Sequence, residues 1–186
     1  MPAAPGPGGP AIEIPEPALV LLVGPAGSGK TTFAARHFDP SEVVSSDAVR
    51  ERLTGDEADQ SANRTTFAIV HRLVEGRLRD RRTVVVDATN VTRGARRALL
   101  RRAARAAVPV VAIVFDLPQA AVQERNARRS GRAVDPEVVA DQWRRLTRTL
   151  AAGGLGDEGF ASVHRLTSSG AIECVRIVRA VTASRP

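Results

Sequence analysis

A chain of 186 residues, with 43% hydrophobic and 25% charged positions, is long enough to bury the core of one domain. Its formal charge of +7 suits a polyanionic partner such as nucleic acid, although charge speaks of steering rather than of activity. No apolar run approaches the length of a membrane-spanning helix, and the single Cys174 cannot close an internal disulfide, so a cytoplasmic protein with no membrane role is expected.

Residues 1–16 open with a Pro- and Gly-rich stretch that reads as a disordered lead-in, leaving residues 17–186 for the domain. The run Ala18 to Val23 is apolar throughout, which suits a buried parallel strand. It leads into Gly24-Pro25-Ala26-Gly27-Ser28-Gly29-Lys30-Thr31, a fill of the G-x-x-x-x-G-K-[ST] pattern, and Thr31 to Phe38 then reads as helix. Glycines in such a loop let the backbone approach phosphates; Lys30 should reach the β- and γ-phosphates and the Thr31 hydroxyl should ligate Mg²⁺. Gly24, Ala26, Gly27, Ser28 and Gly29 are therefore candidate phosphate contacts of ATP or another NTP, together with Lys30, Thr31 and Thr32. Of 27 Lys and Arg residues Lys30 is the one lysine, placed where a compact point charge is needed.

Glu42 to Ser46 reads as a second strand that delivers Asp47 at its carboxyl end, the end where α/β sheets bind ligands. A short helix follows with Arg50 one turn on, and Asp47 could cap it without losing a chemical role. The polar run from Thr54 to Gln60 reads as loop. From Ser61 to Asp80 the apolar positions Phe67, Val70, Leu73, Val74 and Leu78 recur at three and four, predicting a long helix in which His71 is structural. Thr83 to Asp87 is a third strand, again ending in a carboxylate, followed by Ala88-Thr89-Asn90. Thr92 can cap a helix from Arg93 to Ala107, on which Arg93, Arg97, Arg101 and Arg105 line one face, either as solvated surface or as a nucleic-acid track.

A fourth strand spans Val108 to Asp116, and Pro118 suits the first turn of the helix after it. Arg125, Arg128, Arg129 and Arg132 surround a Ser130-Gly131 break, which reads as a mobile lid whose arginines can stabilise charge on a transferred phosphoryl group, against the plainer reading of a basic helix end. A helix from about Asp135 to Leu150 carries Trp143 for packing. Ala161 to Leu166 is expected as a fifth strand and Ala171 to Val181 as a closing helix.

Strands alternating with helices behind a phosphate loop predict an α/β protein, a three-layer P-loop NTPase fold with a mostly parallel sheet of about five strands and an arginine-bearing lid. Asp47 and Asp87, set opposite a lysine, a hydroxyl and mobile arginines, point to phosphoryl transfer. Asp87 is a candidate metal residue, holding a Mg²⁺-bound water or positioning Asp47.

The blocks Gly24 to Thr31, Ser45-Ser46-Asp47-Ala48-Val49-Arg50, Val86-Asp87-Ala88-Thr89-Asn90 and Gln123 to Arg132 resemble the polynucleotide 5′-hydroxyl kinase domain of bacterial end-healing kinase-phosphatases. The resemblance implies that Asp47 is the general base, that Arg50 contacts the acceptor end, and that Arg125, Arg129 and Arg132 engage the NTP phosphates. It implies a nucleic acid with a 5′-OH end as partner, and separate or fused phosphatase and ligase modules beside it. A small-molecule kinase of the gluconate or antibiotic type, and a non-catalytic NTP-binding module, remain open on the residues alone.

Overall fold

The computed structural model describes residues 9–55, 62–129 and 133–181. Its centre is a five-stranded, all-parallel sheet in the order β3-β4-β2-β5-β6. The strands are β2 (Leu19–Val23), β3 (Val43–Ser45), β4 (Val84–Asp87), β5 (Val110–Phe115) and β6 (Ser162–Leu166). Every residue of β2, β4 and β5 is buried, as continuous Val/Leu/Ile runs require when helices cover both faces.

Those helices make the outer layers. On one face Leu19, Leu21 and Val86 meet Val70, Val74 and Leu78 of α3 (Asn63–Arg79) and Leu99 and Ala103 of α4 (Arg93–Arg105). On the other, Val20, Leu22 and Ile113 meet Phe33 and Ala34 of α1 (Lys30–His37) and Val122 of α5 (Gln119–Ala127). The helix α6 (Pro136–Ala151) contributes Val139 to the second cluster and Leu146 to the first, so it bridges the two. The predicted three-layer α/β fold with five strands is what forms.

Both ends of the chain depart from expectation. Within the stretch assigned to a disordered lead-in, Ala11–Glu16 is a strand, β1, whose Ile12 and Ile14 alternate inward; residues 1–8 lie outside the described residues. Its partner is β7 (Arg176–Val181), paired in parallel from Ala11 against Arg176 to Glu16 against Val181. The closing helix expected over Ala171 to Val181 is instead a short helix α7 (Ser169–Cys174) followed by that strand. Neither segment has enough apolar residues to stand alone; each becomes a strand because the other supplies its backbone partners from the far end of the sequence. The loop expected over Thr54 to Gln60 lies largely outside the described residues.

In a parallel sheet all carboxyl ends share one edge, and here the order of strands decides what lies beside what. The phosphate loop leaves β2 in the middle. On one side stand β4 with Asp87 and then β3, whose end opens α2 (Ser46–Thr54) with Asp47 in its first turn. On the other stands β5, leading into α5 and its arginines.

Candidate active site

The loop after β2 has the geometry of an anion cradle. Gly27 and Gly29 have φ of +82° and +97°, a left-handed region costly for residues with a Cβ. A Cβ on Gly27 would also lie 2.5 Å from the Val122 carbonyl oxygen of α5. The N–H groups of Gly24, Ala26 and Ser28 donate to Thr89 O (2.9 Å), Gln142 Oε1 (2.8 Å) and Pro25 O (3.2 Å). Those of Gly27, Gly29, Lys30, Thr31 and Thr32 have no acceptor among the described residues. The N–H groups of Gly24, Ala26 and Ser28, also among the expected phosphate contacts, are engaged within the protein and shape the loop. The cradle of free donors is Gly27 and Gly29 to Thr32, at the positive end of α1.

Lys30 is 7% exposed, and its ammonium donates to Pro25 O at 2.8 Å and to Ser28 Oγ at 3.4 Å. Burial lowers its pKa from 10.5 to about 8; Asp87 and Asp47 pull it up and Arg129 pushes it down. One lysine therefore senses both strand-end carboxylates and a lid arginine. The Thr31 hydroxyl donates to Asp87 Oδ2 at 2.8 Å. Burial raises the Asp87 pKa, opposed by the Lys30 charge and the Thr31 hydrogen bond.

Asp47 is not the cap of α2. Ser45 is, its Oγ accepting from Ala48 N–H at 3.3 Å, so the Asp47 carboxylate is not spent on capping. Arg50, one turn on and 5% exposed, binds Asp47 Oδ1 at 2.7 Å and Asn63 Oδ1 at 3.1 Å. The pair holds a carboxylate that is still 45% exposed. Ser46 Oγ lies 3.4 Å from Asp47 Oδ1 and 3.5 Å from Asp87 O, joining the two acidic corners.

An open cleft of about 630 Å³ runs from Gly27, Gly29, Lys30 and Thr31 across Thr32, Phe33 and Arg36 of α1 to Ile172 and Glu173 of α7. Arg125, in the last turn of α5, and Arg129 line it, and Arg125 is held on Ser169 Oγ at 2.7 Å. Arg132 and the Ser130-Gly131 break lie outside the described residues. Asn126, 2% exposed, ties the lid's base: its Nδ2 donates to Val134 O at 2.6 Å and its Oδ1 accepts from Val134 N–H at 3.1 Å. Trp143 packs, with Nε1 on Leu117 O at 3.0 Å.

Three supports were not read from the sequence. Gln142 on α6 pins the loop at Ala26. The α7 side of the cleft was hidden inside an expected longer helix. Arg96, fully buried, binds Glu158 through two hydrogen bonds of 2.8 and 2.6 Å and donates to Asn90 O at 2.9 Å. Asn90, at φ +50°, donates in turn to Leu22 O at 2.9 Å, so this network fastens the end of β4 to the end of β2. Arg96 shares the i, i+3, i+7 face of Leu99 and Ala103, a spacing that marks it as inward-facing.

A family model described as "AAA domain" matches residues 19–152. The chain belongs to this AAA domain family. The matched span holds the loop, both carboxylate corners, Arg125 and Arg129; β1, β6, α7 and β7 lie beyond it. Solved structures share the fold. A chain of the Pnkp1/Rnl/Hen1 RNA repair complex is 24% identical, with TM-score 0.64 over 75% of this chain and 47% of that one. The chain therefore spans about half the length of that relative. A gluconokinase from Sinorhizobium meliloti is 17% identical, with TM-score 0.52 over 84% and 85%. A putative kinase from Chloroflexus aurantiacus is 16% identical, with TM-score 0.57 over 82% and 88%. No match was found among curated proteins. The fold is that of a P-loop NTPase.

Proposed function

We propose that the chain is a polynucleotide 5′-hydroxyl kinase, moving the γ-phosphoryl group of ATP or another NTP to the 5′-OH end of a nucleic acid. The observation that carries the reading is the half-exposed Asp47 carboxylate, held by Arg50 at 2.7 Å on the β3–β4 side of the loop whose free N–H groups form the cradle. Its class is a metal-assisted in-line transfer. Lys30 and the N–H groups from Gly29 to Thr32 hold the phosphates; Asp47 takes the proton of the acceptor hydroxyl as its oxygen bonds to the γ-phosphorus and the bond to the β-phosphate oxygen breaks. Arg125 and Arg129, approaching from the β5 side, neutralise charge on the group in transit.

Thr31 and Asp87 supply a hydroxyl and a carboxylate side by side, an oxygen donor set that fits Mg²⁺, which prefers one or two protein oxygens with phosphate and water. Bound there, the ion would neutralise the β- and γ-phosphate oxygens. A polynucleotide acceptor is favoured by the S-S-D-x-x-R and D-A-T-N blocks, by the likeness to the RNA repair complex and by the charge of +7. The likeness to a gluconokinase, over most of both chains, supports a second reading with a sugar acceptor.

The test is Asp47→Asn, assayed for nucleotide affinity and for phosphorylation of a 5′-OH oligonucleotide in one preparation, with gluconate and other sugars alongside. Nucleotide affinity should be unchanged and oligonucleotide turnover should fall by about 10²-fold or more. Retained transfer removes Asp47 from the mechanism, and wild-type turnover on gluconate alone replaces the acceptor.

A further inference from the structure

We propose that the arginine notch between the start of α4 and the second half of α6 is a seat for the phosphodiester backbone of the acceptor strand, a few nucleotides from its 5′ end. The inference deepens the kinase reading and rests on it for the strand's direction. Val91, Thr92 and Arg93 form one wall and Arg145, Arg148 and Thr149 the other, around an open space of about 310 Å³. Three arginines from two different helices thus line one shallow concavity, which a merely solvated helix face does not require.

The charges there are largely unspent. Arg93 has no hydrogen-bond or ion-pair partner among the described residues. Arg145 gives its Nε to Asp141 at 2.5 Å, and Arg148 gives its Nε to the Arg144 carbonyl at 3.4 Å, so the terminal nitrogens of both stay available. Asp141 is the single carboxylate paired with this cluster among the described residues, and it is shared with Arg144. Planar guanidinium groups suit the paired oxygens of a phosphodiester. On α4 the exposed Arg97 and Arg101 carry the same charge onward by one turn each.

Position supports the assignment. Thr92 follows Asp87 by five residues, so their Cα atoms are at most about 18 Å apart even on a straight chain. Asp87 is bonded to Thr31 in the cradle and reached from Asp47 through Ser46. At about 3.4 Å of rise per nucleotide, that span from Asp87 to the notch corresponds to at most about five nucleotides of a helical strand. An open notch also lets a strand continue through, where a metabolite site would close.

The experiment compares wild type with an Arg93→Ala, Arg145→Ala, Arg148→Ala triple variant on two acceptors, a 5′-OH 12-mer and a nucleoside 3′-monophosphate too short to reach the notch. Binding of the 12-mer is measured separately by fluorescence anisotropy across a salt series. We expect KM for the 12-mer to rise about tenfold or more with kcat unchanged, and KM for the nucleoside 3′-monophosphate to stay as it was. The slope of log affinity against log salt should shrink by about two, and Arg→Lys at the three positions should restore most of it. Nucleotide affinity of both variants reports that the fold is intact. Equal KM and equal salt slope in wild type and triple variant would overturn the seat. Wild type that binds the 12-mer through the notch without phosphorylating it would keep the seat and overturn the kinase reading; wild type that binds no oligonucleotide would overturn both.

Discussion

Lys30 lies at the centre of the cradle with its pKa lowered to about 8, and that value makes nucleotide binding pH-dependent in a definite direction. In the free protein the ammonium is about nine-tenths protonated at pH 7, half at pH 8 and about one-tenth at pH 9. Bound phosphates, themselves ionised throughout this range, favour the charged lysine and raise its pKa, so binding takes up a proton. Affinity should therefore fall by about tenfold between pH 7 and pH 9, roughly 1.4 kcal/mol, with uptake of about half a proton per site at pH 8. The assay is isothermal calorimetry of nucleotide binding at three pH values in two buffers of different ionisation enthalpy. Lys30→Arg, charged at every pH used, should bind with its own affinity but lose the slope. The same shift acts on folding with the opposite sign. Between about pH 8 and 10.5 the unfolded chain binds the proton that the ligand-free fold has released, so this group makes the free protein more stable as pH rises through that window. A flat affinity to pH 9, with no proton uptake, would refute the placement of Lys30 on the phosphates.

The arginines lining the cleft give a kinetic test: Arg125→Ala or Arg129→Ala should lower turnover by about ten- to a thousand-fold at saturating acceptor while leaving the thermal melt unchanged. Loss of strand affinity alone would move these residues to the acceptor side. Arg96→Met strands the Glu158 carboxylate, 7% exposed, and should cost about 3–5 kcal/mol in urea denaturation, much of it recovered when Glu158→Leu is added. Gly27→Ala forces a Cβ against Val122 O at a φ of +82°, and should weaken nucleotide binding at a stability cost of about 1–3 kcal/mol, read by calorimetry and melting together.

The phosphate loop, its strand and its helix were legible in the sequence because the chemistry is local: glycines at left-handed φ and a lysine opening α1 lie within eight residues. The parallel strands were legible for a similar reason, since burial on both faces leaves an unbroken apolar run. Asp47 and Asp87 were visible as strand-end acids, and the spacing of Asp47 to Arg50 already implied one helical turn between partners. What the tertiary structure decided was adjacency. The order β3-β4-β2-β5-β6 sets two acids on one side of the loop and the arginines on the other, and no residue pattern records which strands are neighbours. The same holds for β1 and β7, each a strand only because the other lies beside it, and for Gln142 and Glu158, whose partners at Ala26 and Arg96 are 116 and 62 residues away. A hydrogen bond between distant residues leaves no periodicity in the chain, because its geometry is supplied by the packing of the sheet and not by the spacing of the residues that make it.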